Sequence, residues 1–185
     1  VLDVCAAPGG KSFTLAELMG NNGTLVSMDI HDMRVGLIED GASRLGIRII
    51  SARQNDASRY DPSMPMADRV LCDVPCSGLG VIRRKPEIKY KNPDEFNELP
   101  ELQYKILETS SRYVKPGGTL VYSTCTLSRA ENDDVANRFA QEHPEFLPIV
   151  QHVPYPAAAG EPMRTYCPDE NGGDGFFTAS FRKKG

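Results

Sequence analysis

The sequence predicts an α/β domain in which a mostly parallel sheet of seven strands is covered by helices on both faces. Two observations support this prediction. Short apolar runs alternate along the chain with segments of helical periodicity, which is the pattern of βαβ units. The chain has 185 residues, 40% of them hydrophobic and 25% charged, which suits one globular domain with a sizeable core. Strands joined through helices run parallel, so their carboxyl ends meet at one edge of the sheet.

The first four predicted strands cover residues 1–4, 24–30, 47–52 and 67–72. A helix over residues 11–19 follows the first strand and ends at Gly20, because glycine readily takes the conformation needed after a helix C-terminus. A second helix, near residues 32–45, ends in the same way at Gly46. A long loop over residues 75–93 follows the fourth strand.

The rest of the chain continues the alternation. A helix over residues 100–114 stops at a Pro-Gly-Gly turn, and a fifth strand covers residues 119–122. The next helix is predicted over residues 128–142, with Ser128 as its N-cap and Glu131 as an acidic residue of its first turn. The last two strands, and the loop rich in Pro, Gly and acidic residues between them, are predicted over residues 146–152, 176–181 and 155–175.

Charge and cysteine usage restrict the class of protein. The formal net charge is −4, whereas a stand-alone nucleic-acid-binding domain is usually basic. The five cysteines are odd in number and include no C-x-x-C pair, which argues against a disulfide framework or a zinc site and predicts reduced thiols in a cytoplasmic protein. No bound metal is expected. No apolar run approaches the roughly 18 residues that a membrane span needs.

A run of small residues after the first strand is a candidate ligand-binding turn: Cys5, Ala6, Ala7, Pro8, Gly9, Gly10 and Lys11. Small side chains let a ligand approach the backbone, and the helix that follows offers N–H groups without helical partners. A Walker A loop is excluded because Cys5 stands where that motif requires glycine. A dinucleotide-binding G-x-G-x-x-G turn is excluded because Pro8 precedes an uninterrupted pair of glycines. The alternative is a tight strand–helix turn without a ligand.

Two acidic residues follow the next two strands. Asp29 comes 20 residues after Gly9, where an acid can accept hydrogen bonds from ribose hydroxyls, although many strands end in an aspartate that caps the next helix. Asp56 follows the third strand, where it could accept a hydrogen bond from an adenine amino group or serve only as a turn residue.

Two thiols follow the fourth and fifth strands. The fourth strand ends in Asp73-Val74-Pro75-Cys76 and the fifth in Ser123-Thr124-Cys125, so both thiols are expected at neighbouring strand ends on the ligand side of the sheet. Cys72, inside the fourth strand, is expected to be a buried apolar residue. A thiol at a ligand site becomes a nucleophile when its surroundings lower its pKa.

Three motifs resemble those of a known family. Residues 3–12 (DVCAAPGGKS), 73–78 (DVPCSG) and 122–126 (YSTCT) resemble the motifs of the Nol/Nop/Sun family of RNA cytosine-5 methyltransferases, and the resemblance covers nearly the whole chain. Residues 81–89 (VIRRKPEIK) resemble the bacterial Sun/Fmu-type branch, which acts on 16S ribosomal RNA. The resemblance implies a Rossmann-like class I methyltransferase fold, S-adenosyl-L-methionine as cofactor and RNA, expected to be 16S ribosomal RNA, as substrate.

The resemblance also implies roles for the residues at the strand ends. The turn over residues 5–11 would hold the methionine end of the cofactor, Asp29 its ribose and Asp56 its adenine. Asp73 would lie between the cofactor amine and the target base, where a hydrogen bond would favour protonation of the ring as a covalent adduct forms. Lys11 would also reach the active site, or would be merely a solvated residue at the start of a helix.

Thiol chemistry in this family implies a covalent mechanism. A thiolate adds to carbon 6 of cytosine, carbon 5 can then take a methyl group and lose its proton, and the thiol is eliminated. The resemblance makes Cys125 the nucleophile and Cys76 the residue that assists product release. DNA cytosine-5 methyltransferases instead use the thiol of their Pro-Cys motif, and nothing in the spacing of this sequence chooses between Cys76 and Cys125.

A basic loop beside the predicted site supplies candidate RNA contacts at Arg83, Arg84 and Lys85, with Lys89 and Lys91 nearby. These side chains could neutralise phosphates or could be merely solvated. The chain has no initiator Met, its first residue already lies in a strand pattern, and the family commonly carries RNA-binding domains ahead of the catalytic one. Residues 1–185 are therefore expected to be a monomeric catalytic domain without its N-terminal RNA-binding region.

Several alternatives remain open. A uracil-5 methyltransferase shares the thiol chemistry, and a cytosine-5 enzyme could act on transfer RNA instead. An amino-methylating enzyme would have an Asn/Asp-Pro-Pro-aromatic motif after the fourth strand, where this chain has Asp73-Val74-Pro75-Cys76. A non-catalytic RNA-binding module could keep the same fold, and tight stoichiometric cofactor binding would count against it.

Overall fold

The computed structural model describes residues 1–150, 161–168 and 173–185, and within these ranges the chain forms eight strands and four α-helices. The strands are β1 (Leu2–Asp3), β2 (Leu25–Asp29), β3 (Ile50–Gln54), β4 (Ala67–Asp73), β5 (Val114–Thr124), β6 (Phe146–Pro148), β7 (Met163–Tyr166) and β8 (Phe176–Lys183). The helices are α1 (Gly10–Leu18), α2 (Asp32–Arg44), α3 (Leu99–Ser111) and α4 (Asp133–Glu142).

All strands belong to one sheet of order β3-β2-β1-β4-β5-β8-β6, with β7 also paired to β8. The first five strands run parallel to one another, and β8 is antiparallel to β5, β6 and β7. β6 pairs with the carboxyl-terminal half of β8 and β7 with its amino-terminal half, so these two short strands share one edge of β8. The predicted mostly parallel α/β fold is confirmed, and the described sheet is seven positions wide with one strand more than predicted.

The extra strand corrects the prediction of an unbroken loop over residues 155–175. Met163–Tyr166 pairs with β8 along its free edge. This pairing satisfies backbone N–H and C=O groups of β8, which explains why so short a segment is extended there. Three predicted stretches lie outside the described residues: 151–152 of the next-to-last strand and, in the loop, 155–160 and 169–172.

The boundary between the third helix and the fifth strand also differs from the prediction. α3 ends at Ser111, and β5 already begins at Val114. Val114 pairs with Ala67 and Thr119 with Arg69, so the Pro-Gly-Gly segment between them is a bulge within β5. The predicted turn therefore lies inside a strand, because β4 offers pairing partners on both sides of it.

The helix predicted over residues 128–142 begins later than expected. A short 3-10 turn at Arg129–Glu131 precedes α4, and the side chain of Ser128 makes no capping hydrogen bond. Glu131, predicted to be an acid of the first helical turn, is only 2% exposed and accepts hydrogen bonds from another loop. Tertiary contacts rather than helix capping therefore decide the conformation of this segment.

The core lies between the sheet and its helices. Tyr122, Phe139, Phe177 and Phe181 are fully buried, and the rings of Phe139 and Phe181 pack edge to face with their centroids 5.1 Å apart. Cys72 is also fully buried, as expected for a small apolar residue of a central strand. Helices long and apolar enough to cross a membrane are absent from the described part of the chain. The carboxyl ends of the five parallel strands meet at one edge, where a ligand-sized cavity opens.

Candidate active site

A cavity of about 510 Å³ lies at the carboxyl edge of the parallel strands, a size typical of small-molecule sites. Residues that follow all five parallel strands line it, among them Cys5, Ala7, Asp29, Ile30, Arg34, Asn55, Asp56, Asp73, Cys76 and Cys125. The fold thus brings together the acidic residues and thiols that the sequence places after separate strands. Lys85 of the basic loop also lines the cavity.

The turn between β1 and α1 is held against β2. Ala6 N donates to Met28 O at 2.7 Å, and Gly9 has a φ of 113°, in the left-handed region that favours glycine. A Cβ atom at Gly9 would run into the ring of Phe13. Of the seven residues predicted to bind the cofactor in this turn, Cys5 and Ala7 line the cavity, Ala6 and Gly9 are buried, and Pro8, Gly10 and Lys11 are exposed.

Asp29 is buried at the end of β2, where both of its carboxylate oxygens have partners. Oδ1 accepts a hydrogen bond from His31 N at 3.0 Å, at the start of α2. Oδ2 pairs with Arg34 Nη1 at 3.2 Å, and Arg34 Nη2 donates to Ala7 O at 3.0 Å. Asp29 therefore supports the helix start and faces the cavity at the same time. Arg34 is not predictable from the sequence, because a single arginine in the first turns of an amphipathic helix carries no signal of its own.

Asp56 lines the cavity after β3 and also organises its own turn. Oδ1 accepts from Ser58 N at 3.0 Å and from Ser58 Oγ at 2.7 Å, and Oδ2 pairs with Arg59 Nε at 3.3 Å. The hydrogen bonds from Ser58 lower the pKa of the Asp56 carboxyl. The side chain is therefore a charged acceptor at neutral pH, which suits a hydrogen bond from an adenine amino group as well as those within its own turn.

Asp73 connects three elements at the centre of the site. Its Oδ2 atom pairs with Lys11 Nζ at 2.7 Å, and its Oδ1 atom accepts a hydrogen bond from Ser123 Oγ at 2.7 Å. Lys11 thus reaches from the start of α1 to the end of β4. Ser123 belongs to β5, which pairs with β4 in this region. The carboxylate is held in one orientation by a cation on one side and a hydroxyl on the other.

The two predicted thiols are in contact. Cys76 Sγ and Cys125 Sγ lie 3.2 Å apart, longer than the S–S bond of about 2.05 Å, so both are thiols rather than a disulfide. The backbone N–H of Cys125 also points at Cys76 Sγ, at 3.3 Å. The contact exists because β4 and β5 are hydrogen-bonded neighbours, which confirms the prediction that the thiols follow neighbouring strands.

The two thiols differ in acidity. A hydrogen bond from Cys76 lowers the pKa of Cys125 to about 7, and the positive charge of Lys11 acts in the same direction, against the opposing effects of burial and Asp73. The hydrogen bond to Cys125, together with burial, raises the pKa of Cys76. Cys125 is therefore the member of the pair that more readily becomes a thiolate.

The side chains of the basic loop lie in different surroundings. Lys85 lines the cavity, whereas Arg84 Nε forms an ion pair with Asp174 at 2.5 Å. Arg83, Lys89 and Lys91 are exposed on the same loop. Arg84 thus anchors the loop to the segment before β8, while the predicted contacts of Arg83, Arg84 and Lys85 with RNA stay predictions.

The sheet order and a ligand site at the carboxyl ends of its parallel strands define a class I methyltransferase domain, whose cofactor is S-adenosyl-L-methionine. A family model described as 16S rRNA methyltransferase RsmB/F matches residues 1–182, and the chain belongs to that family. The resemblance to the Sun-type RNA methyltransferases is thereby confirmed.

Individual relatives agree with this assignment. The probable ribosomal RNA small subunit methyltransferase B of Bacillus subtilis is 48% identical over 199 residues, covering 100% of this chain and 43% of that protein. The ribosomal RNA small subunit methyltransferase F of Escherichia fergusonii is 36% identical, covering 99% of this chain and 40% of that protein. The structure of NSun6 from Pyrococcus horikoshii with SFG superposes with a TM-score of 0.85 at 29% identity, covering 98% of this chain and 47% of that one. The chain thus spans less than half the length of each.

Proposed function

We propose that this chain is the catalytic domain of a methyltransferase that acts on carbon 5 of a cytosine in 16S ribosomal RNA through a covalent cysteine adduct. The observation that carries the proposal is the contact between Cys76 and Cys125 at a cavity shared with Asp29 and Asp73. Membership of the RsmB/F family and the names of its relatives support ribosomal RNA as the substrate. The protein would then act in the cytoplasm, and a further RNA-binding region outside residues 1–185 would help to select the target.

The residues around the cavity fit S-adenosyl-L-methionine. Three carboxylates, those of Asp29, Asp56 and Asp73, match the ribose hydroxyls, the adenine amino group and the cofactor amine. Apolar side chains such as Ile30 and Ile106 line the same cavity. The first N–H groups of α1 suit the cofactor carboxylate. SFG, the molecule in the NSun6 structure, is an analogue of this cofactor. When bound, the cofactor supplies an electrophilic methyl group.

Cys125 would attack carbon 6 of the cytosine. With a pKa of about 7, a large fraction of the thiol is thiolate at neutral pH. Lys11 supplies the positive charge that favours this thiolate, and Asp73 keeps Lys11 in place through their ion pair. Asp73, which lines the same cavity, would also orient the ring edge of the base.

Cys76 would act after methyl transfer. Its thiol resists ionisation chiefly because it is hydrogen-bonded to Cys125. Once Cys125 is bonded to carbon 6, it can no longer exist as a thiolate, and this restraint on Cys76 disappears. The pKa of Cys76 should then fall, so that Cys76 can help to remove the proton from carbon 5 as Cys125 leaves. The order of the two roles thus follows from a hydrogen bond that exists only while the nucleophile is free.

The proposal is tested by incubating the protein with unmethylated 16S ribosomal RNA and labelled S-adenosyl-L-methionine, and by mapping the product. The expected result is 5-methylcytosine at one position, lost in Cys125→Ala. Transfer RNA and RNA with uracil at the target position are run in parallel. Methyl transfer to either of these instead, or undiminished transfer by Cys125→Ala, would contradict the proposal.

A further inference from the structure

Two buried residues at the junction between the 3-10 turn Arg129–Glu131 and α4 contact the loops of both thiols. We propose that Glu131 and Asn132 are positioning residues that hold Cys76 and Cys125 in contact, an inference that rests on the proposed function. Both side chains are buried, at 2% and 1% exposure, and neither residue lines the cavity. They would act on the reaction only through the two cysteines.

Glu131 holds the loop that carries Cys76. Its Oε2 atom accepts a hydrogen bond from Ser77 N at 2.9 Å, and its Oε1 atom accepts one from Ser77 Oγ at 2.6 Å. The side-chain amide of Gln103 donates both to Glu131 Oε2 at 3.0 Å and to Pro75 O at 2.9 Å. The residues on both sides of Cys76 are therefore tied, directly or through Gln103, to one carboxylate.

Asn132 holds the loop that carries Cys125. Its amide group donates to Thr126 O at 3.0 Å, and its Oδ1 atom accepts a hydrogen bond from Thr124 Oγ1 at 2.6 Å. A hydrogen bond of 2.7 Å between Ser77 Oγ and Thr126 Oγ1 joins the two loops directly. The residues before and after each thiol are thus fixed by two side chains that are adjacent in sequence.

The network is satisfied and protected from water, which makes it rigid. A buried carboxylate is costly unless several donors surround it, and hydrogen bonds to a charged acceptor are stronger than those between neutral groups. Glu131 has such donors, and its own carbonyl accepts a hydrogen bond from Tyr122 OH at 2.5 Å, from within β5. A hydrogen bond between two sulfur atoms weakens as the distance between them grows. Movement of either loop should therefore raise the pKa of Cys125 and make its thiol less reactive.

The test uses Glu131→Gln and Asn132→Asp, which change the donors and acceptors with little change of shape. The pH dependence of Cys125 alkylation by iodoacetamide is followed by peptide mass spectrometry in the absence of RNA. The midpoint should lie near pH 7 in the wild type and move upward by about one unit in each variant, so that alkylation at pH 7 slows about fivefold. The matched control is Glu142→Gln, which removes a carboxylate of α4 that pairs with Arg138 instead. It should leave the midpoint unchanged.

A further variant distinguishes a loss of positioning from a loss of folding, and the alkylation assay distinguishes the positioning role from the proposed function. If Glu131→Gln does not fold, Ser77→Ala, which removes the hydroxyl between the two loops, should show the same shift. Folded variants with an unchanged midpoint would overturn the positioning role even if methyl transfer is confirmed. A shifted midpoint would support the role even if the wild type transfers no methyl group to RNA. In an active protein, kcat should fall while the KM for the cofactor is kept.

Discussion

At the level of single residues, Cys125 differs from the buried Cys72 and Cys5 in the groups that surround its thiol. The hydrogen bond between Cys125 and Cys76 and the positive charge of Lys11 lower the pKa of the Cys125 thiol to about 7. Burial raises the pKa of Cys72 to about 12 and also raises that of Cys5. For Cys72 the effect of burial outweighs a hydrogen bond from Ser110, so this thiol stays protonated although it lies only four residues from Cys76.

Removal of Cys76 should separate methyl transfer from product release. We expect Cys76→Ala to accumulate a covalent protein–RNA species under turnover, because Cys125 can still attack while the group that assists its departure is gone. A denaturing gel with labelled RNA measures this species as a shifted band. Cys72→Ala, which removes a buried thiol of β4, is the control and should turn over without a shifted band. Absence of the band in Cys76→Ala would argue against a role in release.

Asp29 should contribute to cofactor affinity beyond its role at the start of α2. We expect Asp29→Asn to weaken binding of S-adenosyl-L-methionine about tenfold or more, because a charged acceptor for hydroxyl groups is lost. Isothermal titration calorimetry measures the affinity. The matched control is Asp32→Asn, which removes an exposed carboxylate of the first turn of α2. Equal affinities for Asp29→Asn and the wild type would mean that Asp29 serves only the fold, by accepting a hydrogen bond from His31 N.

Asp3 should make the stability of the fold depend on pH. It is fully buried, its Oδ1 atom has no hydrogen-bond partner, and burial raises its pKa from 3.8 to about 6. The folded state therefore holds the proton more tightly than the unfolded state. The stability that this proton provides is fully present below pH 3.8 and is lost as the pH rises through about 6. The free energy of unfolding should fall by about 3 kcal/mol across this range.

Asp3→Asn should remove this pH dependence. We expect the variant to gain on the order of 1–3 kcal/mol in the free energy of unfolding above pH 6, because no buried charge forms. The gain should shrink toward pH 4. Urea unfolding of both proteins between pH 4 and 8 isolates the effect, since all other groups are common to the two. A stability difference that does not vary with pH would refute the explanation.

At the level of elements, a second set of contacts, made by backbone groups, supports the loop of Cys125. In the 3-10 turn Leu79–Val81, Gly80 N donates to Cys125 O at 3.0 Å, and Gly175 N donates to Gly80 O at 2.8 Å. The two glycines let three backbone segments pack in direct contact. A Cβ atom at Gly80 would meet the carbonyl group of Gly175 and lie 2.9 Å from Cys125 O. The segment before β8 thereby helps to fix the loop that carries Cys125.

Gly80→Ala should therefore disturb this packing. We expect a loss of about 1–3 kcal/mol in stability, because backbone rather than a flexible side chain must move to admit the methyl group. Gly36→Ala is the control, since a Cβ atom at this position of α2 meets nothing within 4 Å. It should instead stabilise by about 0.5–1 kcal/mol through lower backbone entropy of the unfolded chain. Thermal unfolding compares the two variants, and equal effects would contradict the close approach of the three loops.

At the level of the whole molecule, the sequence was sufficient to predict the architecture and the edge at which the site lies. Alternating periodicity predicts parallel strands, and parallel strands bring residues such as Asp29, Asp73 and Cys125 to one edge. These inferences depend on local pattern and topology, which a single sequence carries. The same reasoning predicts that the thiols follow neighbouring strands, and the pairing of β4 with β5 confirms this.

Features that depend on distant contacts were not predictable in this way. Glu131 has the spacing of a helix-capping acid, and only the fold reveals that Ser77 and Gln103 supply its partners. β7 pairs along an edge of β8, and its four residues, only two of which favour a strand, are too short a run to predict this from the sequence. The difference in acidity between Cys76 and Cys125 arises from a contact of 3.2 Å, which sequence spacing cannot express.

The most direct test of the central claim is to identify the atom that bonds to the base. RNA with 5-fluorocytosine at the target position blocks release, because carbon 5 then carries fluorine in place of the proton that must leave. With S-adenosyl-L-methionine present, we predict a denaturation-resistant protein–RNA complex whose peptide mass spectrum places the linkage at Cys125. Linkage at Cys76, or no covalent complex despite cofactor binding, would contradict the account.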